Sequence, residues 1–350
     1  MGREARAVAF SFVLCSLFFV YALVACTSSS PEGPALPTLV VGSKGLKAGK
    51  FVKPRALAVD RETGRFYVVD RSGRIQHFSQ EGKAIGEWFL PEYKLGQPVG
   101  ITIEDDGNLL VNDSHYNRLL RYSPDGSKIL AQWGTEGTGS GQFTFGRDVV
   151  VDSEGFIYAG DYGGLNDRIQ KFSRDGRYLL EWGGMGEEPG QFRRPQGMVV
   201  EHRGGDEMIL VADTANHRLQ RFSREGHWLT TIGKLGRGAG ELRFPYSVAV
   251  GRDGAIYVAE WGNNRIQRFG ADGASQGFWG RAGHGVGELA TPWDVEVGPE
   301  DRIYVADYGN HRVQVFQWPQ ALSLSRPPES LRTAGGSLST VRGQEREGSY

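Results

Sequence analysis

Six acidic residues each stand four to seven positions before an arginine, in copies of one repeated segment. A carboxylate and a guanidinium at such a separation can form a bidentate ion pair. A catalytic acid would differ from its counterparts, whereas equivalent pairs predict a structural ring that braces loops. As exposed pairs, they would contribute little stability individually. The pairs are Asp70–Arg74, Asp113–Arg118, Asp161–Arg168, Asp213–Arg218, Glu260–Arg265 and Asp307–Arg312.

The elements that position these pairs follow from the spacing of the arginines, which is 44, 50, 50, 47 and 47 residues. Repeats of roughly 40–50 residues built from short strands are typical of propeller blades. In each copy the second strand ends at the acid and the third strand begins at the arginine. A Pro-led apolar run, Gly-led in the third copy at Gly146, predicts the innermost strand. A fourth, outer strand ends near Trp-Gly.

The two ends of the repeat array predict how the ring closes. The sixth copy stops after its third strand, at Trp318, and residues 38–41 resemble an outer strand with no blade before it. We therefore expect an all-β fold over residues 38–318, a six-bladed β-propeller of four-stranded antiparallel blades. The N-terminal strand would join the last blade, which leaves no isolated edge strand.

The run from Asn216 to Leu219 resembles the motif of the NHL-repeat family of six-bladed propellers, and the resemblance covers residues 38–318. Related amidating lyases hold zinc in the channel with histidines near the starts of inner strands, and gluconolactonase-like propellers hold a divalent cation. Here the corresponding residues include no histidine, and only Asp148 and Asp294 lie near the rim. His115, His217 and His311 fall in loops too far from the axis for zinc bonds of ~2 Å. The residues at the starts of the inner strands are Arg55, Val99, Arg147, Gln196, Tyr246 and Trp293.

The sequence therefore predicts no catalytic residue, no metal ligand and no cofactor, because Ca²⁺ or Zn²⁺ in the channel has no supporting motif. A divalent-cation-dependent lyase or hydrolase centred on the channel remains the alternative.

The N-terminal residues predict where in the cell the protein is located. Arg3 and Arg6 precede 19 uncharged residues, and Leu23-Val-Ala-Cys26 resembles a bacterial lipobox. We expect residues 1–25 to be a lipoprotein signal peptide, Cys26 to be lipidated and residues 26–37 to form a flexible tether. The protein would then lie in the bacterial cell envelope, at the outer membrane in Gram-negative cells. An uncleaved transmembrane anchor is the alternative. Residues 319–350 have the composition of a disordered tail.

Loops that enter the inner strands and loops between the second and third strands share one face of a propeller. Aromatic residues with arginine, as found there, are typical of binding hot spots. Trp261 and Tyr308 could instead pack between blades. The formal charge of −1 gives no basis for nucleic-acid binding. We therefore expect a tethered, non-catalytic scaffold for a protein, peptide or cell-envelope glycan. The candidate binding residues are Arg55, Tyr116, Arg147, Asp148, Tyr162, Tyr246, Trp261, Trp293, Asp294 and Tyr308.

Overall fold

The computed structural model describes residues 36–93, 98–163 and 166–318. They form six four-stranded antiparallel sheets, which confirms the predicted propeller. The chain begins with β1 (Leu39–Val41). Blade 1 contains β2 (Pro54–Val59), β3 (Phe66–Asp70), β4 (Arg74–Phe78) and β5 (Ala84–Phe89), and blade 2 contains β6 (Gly100–Ile103), β7 (Leu109–Asp113), β8 (Arg118–Tyr122) and β9 (Ile129–Trp133). A short parallel pair, β10 (Thr135–Glu136) and β11 (Gln142–Phe143), lies in the link to blade 3.

The other four blades repeat this order from the inside of the ring outward. Blade 3 contains β12 (Gly146–Val151), β13 (Ile157–Asp161), β14 (Arg168–Phe172) and β15 (Tyr178–Gly183). Blade 4 contains β16 (Pro195–Arg203), β17 (Asp206–Asp213), β18 (Arg218–Ser223) and β19 (Trp228–Ile232). Blade 5 contains β20 (Pro245–Val250), β21 (Ile256–Glu260), β22 (Arg265–Phe269) and β23 (Ser275–Trp279). Blade 6 contains β24 (Pro292–Val297), β25 (Arg302–Asp307) and β26 (Arg312–Gln317).

Helical structure in the described residues is limited to four single 3₁₀ turns, Ser114–Tyr116, Thr214–Asn216, Pro299–Asp301 and Tyr308–Asn310. None of the helices in this part of the chain is long and apolar enough to cross a membrane.

The N-terminal strand closes the ring, as predicted. β1 pairs antiparallel with β26, so that Leu39 faces Val315 and Val41 faces Val313. The N–H of Thr38 also donates to the carbonyl of Val315 at 2.7 Å. Blade 6 thereby obtains its fourth strand from the other end of the chain.

Hydrophobic side chains pack between neighbouring blades rather than within single sheets. One cluster joins Tyr304 and Val313 of blade 6 to Leu57 and Phe66 of blade 1, and five others occupy the described structure. Every residue of β3 is buried, because a neighbouring blade covers each face of the sheet. This explains why the central strands are apolar at successive positions instead of alternating.

The innermost strands start where the sequence predicts, except in blade 2. In blade 3, a glycine takes the place of the leading proline, and the structure explains why. In blade 2 the strand begins at Gly100, two residues after Pro98. In blade 3 the leading residue is Gly146 because a Cβ there would overlap the side-chain oxygen of Asn112 in blade 2. The starts of the inner strands and the loops between second and third strands share one face, which we call the site face. The opposite face is the far face.

The acid–arginine pairs form within each blade, and they are buried rather than exposed. The six nitrogen–oxygen distances are 3.2, 2.9, 3.5, 2.7, 2.5 and 2.7 Å in chain order. Each acid is at most 1% exposed and each arginine at most 14% exposed. The expectation of weak surface pairs was therefore wrong, because described residues of the link that precedes each blade cover the pair.

Each arginine also holds that link. The guanidinium of Arg312, for example, donates to the carbonyls of Gly285 at 2.6 Å and Glu288 at 2.8 Å, while its Nε contacts Asp307. Five blades add a buried glutamine two positions after the arginine. Its amide both accepts from and donates to the same link, as Gln314 does with Gly287 and Glu288. Together these groups form what we call the link latch.

Two of the loop histidines join neighbouring blades. Nδ1 of His217 accepts the N–H of Phe244 at 3.0 Å, and Nδ1 of His311 accepts the N–H of Lys53 at 3.1 Å. Both have left-handed backbone angles, with φ of 59° and 57°. His115 has no such bond among the described residues and is exposed. The sequence suggested that all three histidines only occupy loops, and this interpretation holds for His115 alone.

Candidate binding site at one mouth of the central channel

A bulge near the start of most inner strands positions the site residues. The strand register shifts between Pro54 and Ala56, and equivalent shifts occur in blades 3 to 6. A bulge changes the direction of the side chains that follow it. As a result, in blades 1 and 3 to 6 the second residue of the inner strand lies at the channel mouth and the third lies directly beneath it.

These residues line a small axial cavity of about 20 Å³ that opens on the site face. Five second residues and Val99, which directly precedes β6, form its rim, and four third residues form its floor. The rim contains Arg55, Val99, Arg147, Gln196, Tyr246 and Trp293, and the floor contains Asp148, Gly197, Ser247 and Asp294.

The sequence suggested Asp148 and Asp294 as binding residues. In the structure, their carboxylates instead connect neighbouring blades. Asp148 accepts the N–H groups of Val149 at 2.9 Å and Met198 at 2.8 Å, and Met198 belongs to the next blade. Asp294 accepts the N–H groups of Val295 at 2.9 Å and Leu57 at 2.6 Å, and Leu57 again lies in the next blade. All four carboxylate oxygens are thus occupied by backbone donors. This geometry does not fit the gluconolactonase-like cation site, whose ligands must point their oxygens at a metal.

Three carboxyl groups in the channel hold protons more tightly than usual. Burial raises the pKa of Asp148 to about 8, with repulsion from Asp294 as a second cause, and burial raises the pKa of Asp294 to about 6. Burial also raises the pKa of Glu296 to about 8, with repulsion from Asp294 as the second cause. Water reaches these groups only through the channel, so the ionised forms are poorly solvated.

Glu296 was not predicted as a special residue, although the sequence contains a signal for it. It lies two positions after Asp294 on β24 and lines the wider, far-face end of the channel. Inner strands elsewhere carry small or uncharged residues at this position. Those residues are Ala58, Thr102, Val150, Val199 and Ala249.

Glu296→Gln should stabilise the protein increasingly as the pH rises from about 4.5 to about 8. A carboxyl whose pKa is raised on folding contributes stability that is present below about pH 4 and lost as the pH passes its folded pKa. The wild type should therefore lose stability up to about pH 8, and the amide should remove one source of that loss. We expect a difference on the order of 1–3 kcal/mol at pH 9 after allowance for channel water.

Thermal melting of the two proteins at several pH values measures this difference. The exposed Glu62→Gln provides the control and should leave the pH profile unchanged. Parallel profiles for Glu296→Gln and the wild type would show that Glu296 does not titrate in this range.

An arc of aromatic side chains borders the cavity on blades 5 and 6. The ring of Trp293 lies 4.8 Å from Tyr246, edge to face, and 4.5 Å from Tyr308 in a stacked arrangement. Tyr246 also stacks on Trp261 at 5.8 Å. The guanidinium of Arg55 lies 5.2 Å from the centre of the Trp293 ring. We call Tyr246, Trp261, Trp293 and Tyr308 the aromatic arc.

The members of the arc are all half-buried, so they pack between blades and also present surface to solvent. The alternatives of packing and binding are therefore not exclusive for Trp261 and Tyr308. Two further residues, which the sequence analysis did not single out, extend the arc. Phe244 lies 5.9 Å from Trp261, and the ammonium of Lys53 lies 5.0 Å from the Tyr308 ring.

A second group of candidate residues lies on blades 3 and 4. The guanidinium of Arg147 covers the ring of Tyr162 at 4.3 Å and donates a hydrogen bond to its hydroxyl group. Arg194 contacts the same ring at 5.5 Å. Tyr116 is separate, because it packs against Arg118 and does not line the cavity. The structure thus brings together nine of the ten candidates and leaves Tyr116 outside.

Comparison with known proteins links this chain to one repeat family. The model of the NHL repeat matches residues 242–269 and 289–316. Over 129 residues, the chain is 31% identical to peptidylglycine alpha-amidating monooxygenase of Rattus norvegicus, which covers 34% of this chain and 13% of that protein. Over 176 residues, it is 30% identical to NHL repeat-containing protein 3 of Mus musculus, which covers 46% of this chain and 49% of that protein. The chain therefore spans half or less of the length of these relatives.

Solved structures resemble the whole propeller at low sequence identity. A streptogramin B lyase matches 79% of this chain and 97% of its own, with a TM-score of 0.56 and 14% identity. A putative gluconolactonase matches 82% of this chain and 96% of its own, with a TM-score of 0.58 and 16% identity. At these identities the likeness concerns the fold alone.

Proposed function

Since this chain belongs to the NHL-repeat β-propellers, we propose that it is a non-catalytic binding scaffold held outside the cytoplasm. Its site face would bind a protein or peptide, or a cell-envelope glycan. The observation that carries this proposal is the aromatic arc beside Arg55, with Arg147 lining the same cavity at the channel mouth. Function has to be argued from such a site, because the fold itself hosts many activities.

The composition of the arc supports binding. Tryptophan, tyrosine and arginine dominate binding hot spots, because each combines a large contact area with a polar or charged group. The arc is rigid, since its rings are fixed against each other at 4.5–5.8 Å. A rigid surface loses little conformational entropy when it binds a partner.

The positions of the described chain ends also support a tethered scaffold. β26 runs from Arg312 on the site face to Gln317 on the far face. β1 is antiparallel to β26, so Leu39 also lies at the far face. A tether that precedes residue 36 would therefore approach the far face, and the site face would point away from the membrane.

The catalytic alternative requires a set of metal ligands. Within residues 36–93, 98–163 and 166–318, no group of three or more His, Cys, Asp or Glu side chains is arranged to hold a metal ion. The oxygens of Asp148 and Asp294 accept backbone N–H groups instead. The residues present do not fit a channel metal, and the proposed function uses none.

The experiment that tests the proposal combines binding with a search for turnover. The detergent-purified full-length protein is applied to peptide and glycan arrays, with and without EDTA, and the recovered ligands are weighed by mass spectrometry. A binding scaffold should select one class of ligand, independently of EDTA, and return it with its mass unchanged. A ligand recovered in altered form would contradict the proposal, and sensitivity of that alteration to EDTA would establish the cation-dependent alternative.

Cys26→Ser should release the protein from the membrane fraction or leave it as an unprocessed precursor. Cys26 lies outside the described residues, so this prediction rests on the lipobox-like sequence alone. Fractionation of cells and the mass of the protein provide the measurement. A Cys26→Ser protein that stays in the membrane with the processed mass of the wild type would exclude lipidation at this residue.

A further inference from the structure

Three hydrogen-bond donors at the channel mouth have no partner within the described part of the chain. Nε of Arg55, Nε of Arg147 and Nε2 of Gln196 are buried and make no hydrogen bond to any described residue. Arg55 is 9% exposed and Gln196 is 5% exposed. Buried polar atoms are nearly always hydrogen-bonded. All three donors line the same axial cavity, although they come from blades 1, 3 and 4 respectively.

The two arginines also differ from the arginines of the link latch. Every latch arginine contacts a buried acid and at least one link carbonyl. By contrast, in the part of the chain that the structure describes, neither Arg55 nor Arg147 lies within 4.0 Å of a carboxylate oxygen. The floor carboxylates cannot compensate them, because their oxygens point to backbone N–H groups.

The charge of the two guanidiniums extends across the rim. His115 lies in the 3₁₀ turn that follows β7 on the site face of blade 2, between blade 1 with Arg55 and blade 3 with Arg147. Its pKa is lowered, first by partial burial and then by repulsion from these two guanidiniums. The cavity mouth is therefore a place of positive potential with free donors.

We propose that this mouth binds a carboxylate group of the ligand, held by Arg55, Arg147 and Gln196. The inference rests on the proposed function and names the chemistry that its site recognises. A guanidinium presents its N–H groups in a fork that matches the two oxygens of a carboxylate. The chain attached to the carboxylate would then lie against the aromatic arc, whose Trp293 ring contacts Arg55.

The floor of the cavity favours a singly charged group. Asp148 and Asp294 lie directly beneath the rim, and burial raises the pKa of both. Protonated or backbone-bonded carboxyls tolerate one negative charge above them, whereas a phosphate dianion would meet stronger repulsion. The other ionisable groups of the inner strands at this level are Arg55, Arg147 and Tyr246, so the rim itself carries no acid.

Two sources could supply the carboxylate, the C-terminus of a peptide or the acid group of a uronic sugar. The test uses N-acetylphenylalanine, its carboxamide, methyl glucuronide and the methyl ester of methyl glucuronide as probes. Titration into the ¹⁵N-labelled full-length protein in detergent at pH 6 follows the side-chain N–H signals of Arg55 and Arg147. The acid that represents the true source should shift both signals saturably, and its neutral counterpart should bind at least ~10-fold more weakly.

Substitutions provide the second readout. Arg55→Gln and Arg147→Gln should each weaken binding of the acid probe by at least ~10-fold. Arg61→Gln is the matched control, because Arg61 follows the same inner strand but lines the far-face end of the channel. If both acids leave the two arginine signals unmoved, or if acid and neutral probes bind equally, the carboxylate inference is wrong. The wild-type titration decides this even where an arginine variant fails to fold.

The two proposals fail in different ways. An array-selected ligand that depends on the aromatic arc but binds equally well without its carboxylate overturns the carboxylate inference and leaves the binding function intact. A ligand that ignores the arc overturns the binding site itself.

Discussion

Val41→Asp should destabilise the whole propeller by about 4 kcal/mol or more, whereas Val40→Asp should cost well under 1 kcal/mol. Val41 is 5% exposed and packs with Leu57 and Phe78 of blade 1 and with Phe51 of the preceding link, while its strand pairs with blade 6. A carboxylate at this position would lose its hydration without gaining a partner. Val40 is 40% exposed, so a charge there stays in water.

Thermal and urea denaturation of the two variants measure the difference, which should lower the melting temperature of Val41→Asp by roughly 10 °C. Because every blade packs between two neighbours, the loss should appear in one cooperative transition. Equal melting of Val41→Asp and Val40→Asp would mean that the N-terminal strand does not close the ring.

Arg312→Leu should lower the free energy of unfolding by about 3–5 kcal/mol, because it leaves a buried acid without its counter-charge. Nε of Arg312 lies 2.7 Å from Asp307, which is fully buried. The same guanidinium satisfies two carbonyls of the preceding link, Gly285 and Glu288. Leucine would keep most of the apolar contact of the stem and remove only these polar interactions.

The matched control is Arg174→Leu, which breaks an ion pair of similar length on the surface. Arg174 lies 2.8 Å from Asp106, and the two side chains are 60% and 43% exposed. Its loss should cost less than about 1 kcal/mol. Chemical denaturation compares the two variants, and similar effects would contradict the assignment of the link latch as a buried structural element. The double variant Asp307→Asn with Arg312→Leu should recover part of the stability.

The fold could be predicted because its signals are local and repeated. The spacing of six arginines, the Pro-led inner strands and the orphan strand at the N-terminus each depend on short stretches of sequence. Even the replacement of proline by Gly146 follows a simple steric rule, although the rule needs Asn112 of the neighbouring blade. The adjacency of Tyr246, Trp293 and Arg55 could be predicted as well, since equivalent positions in neighbouring blades meet at the axis.

The remaining features depend on contacts between parts of the chain that no short stretch contains. Arg312 is buried only because residues 283–291 fold over it, so sequence alone suggested an exposed pair. Asp148 seemed available for a ligand because its bond to the N–H of Met198 arises from the approach of the next blade. Glu296 changes its pKa through desolvation in the channel, which forms only when the ring closes.

The binding claim is tested most directly by measuring how tightly an array-selected ligand binds Trp293→Ala. Trp293 lies at the centre of the aromatic arc and contacts Tyr246, Tyr308 and Arg55. The loss of one such hot-spot side chain is typically worth ~2 kcal/mol or more, so the Kd should rise at least ~30-fold while the fold stays intact. Asp253→Ala, in a far-face turn, should bind like the wild type. Equal Kd values for Trp293→Ala and the wild type would contradict a binding site at this mouth of the channel.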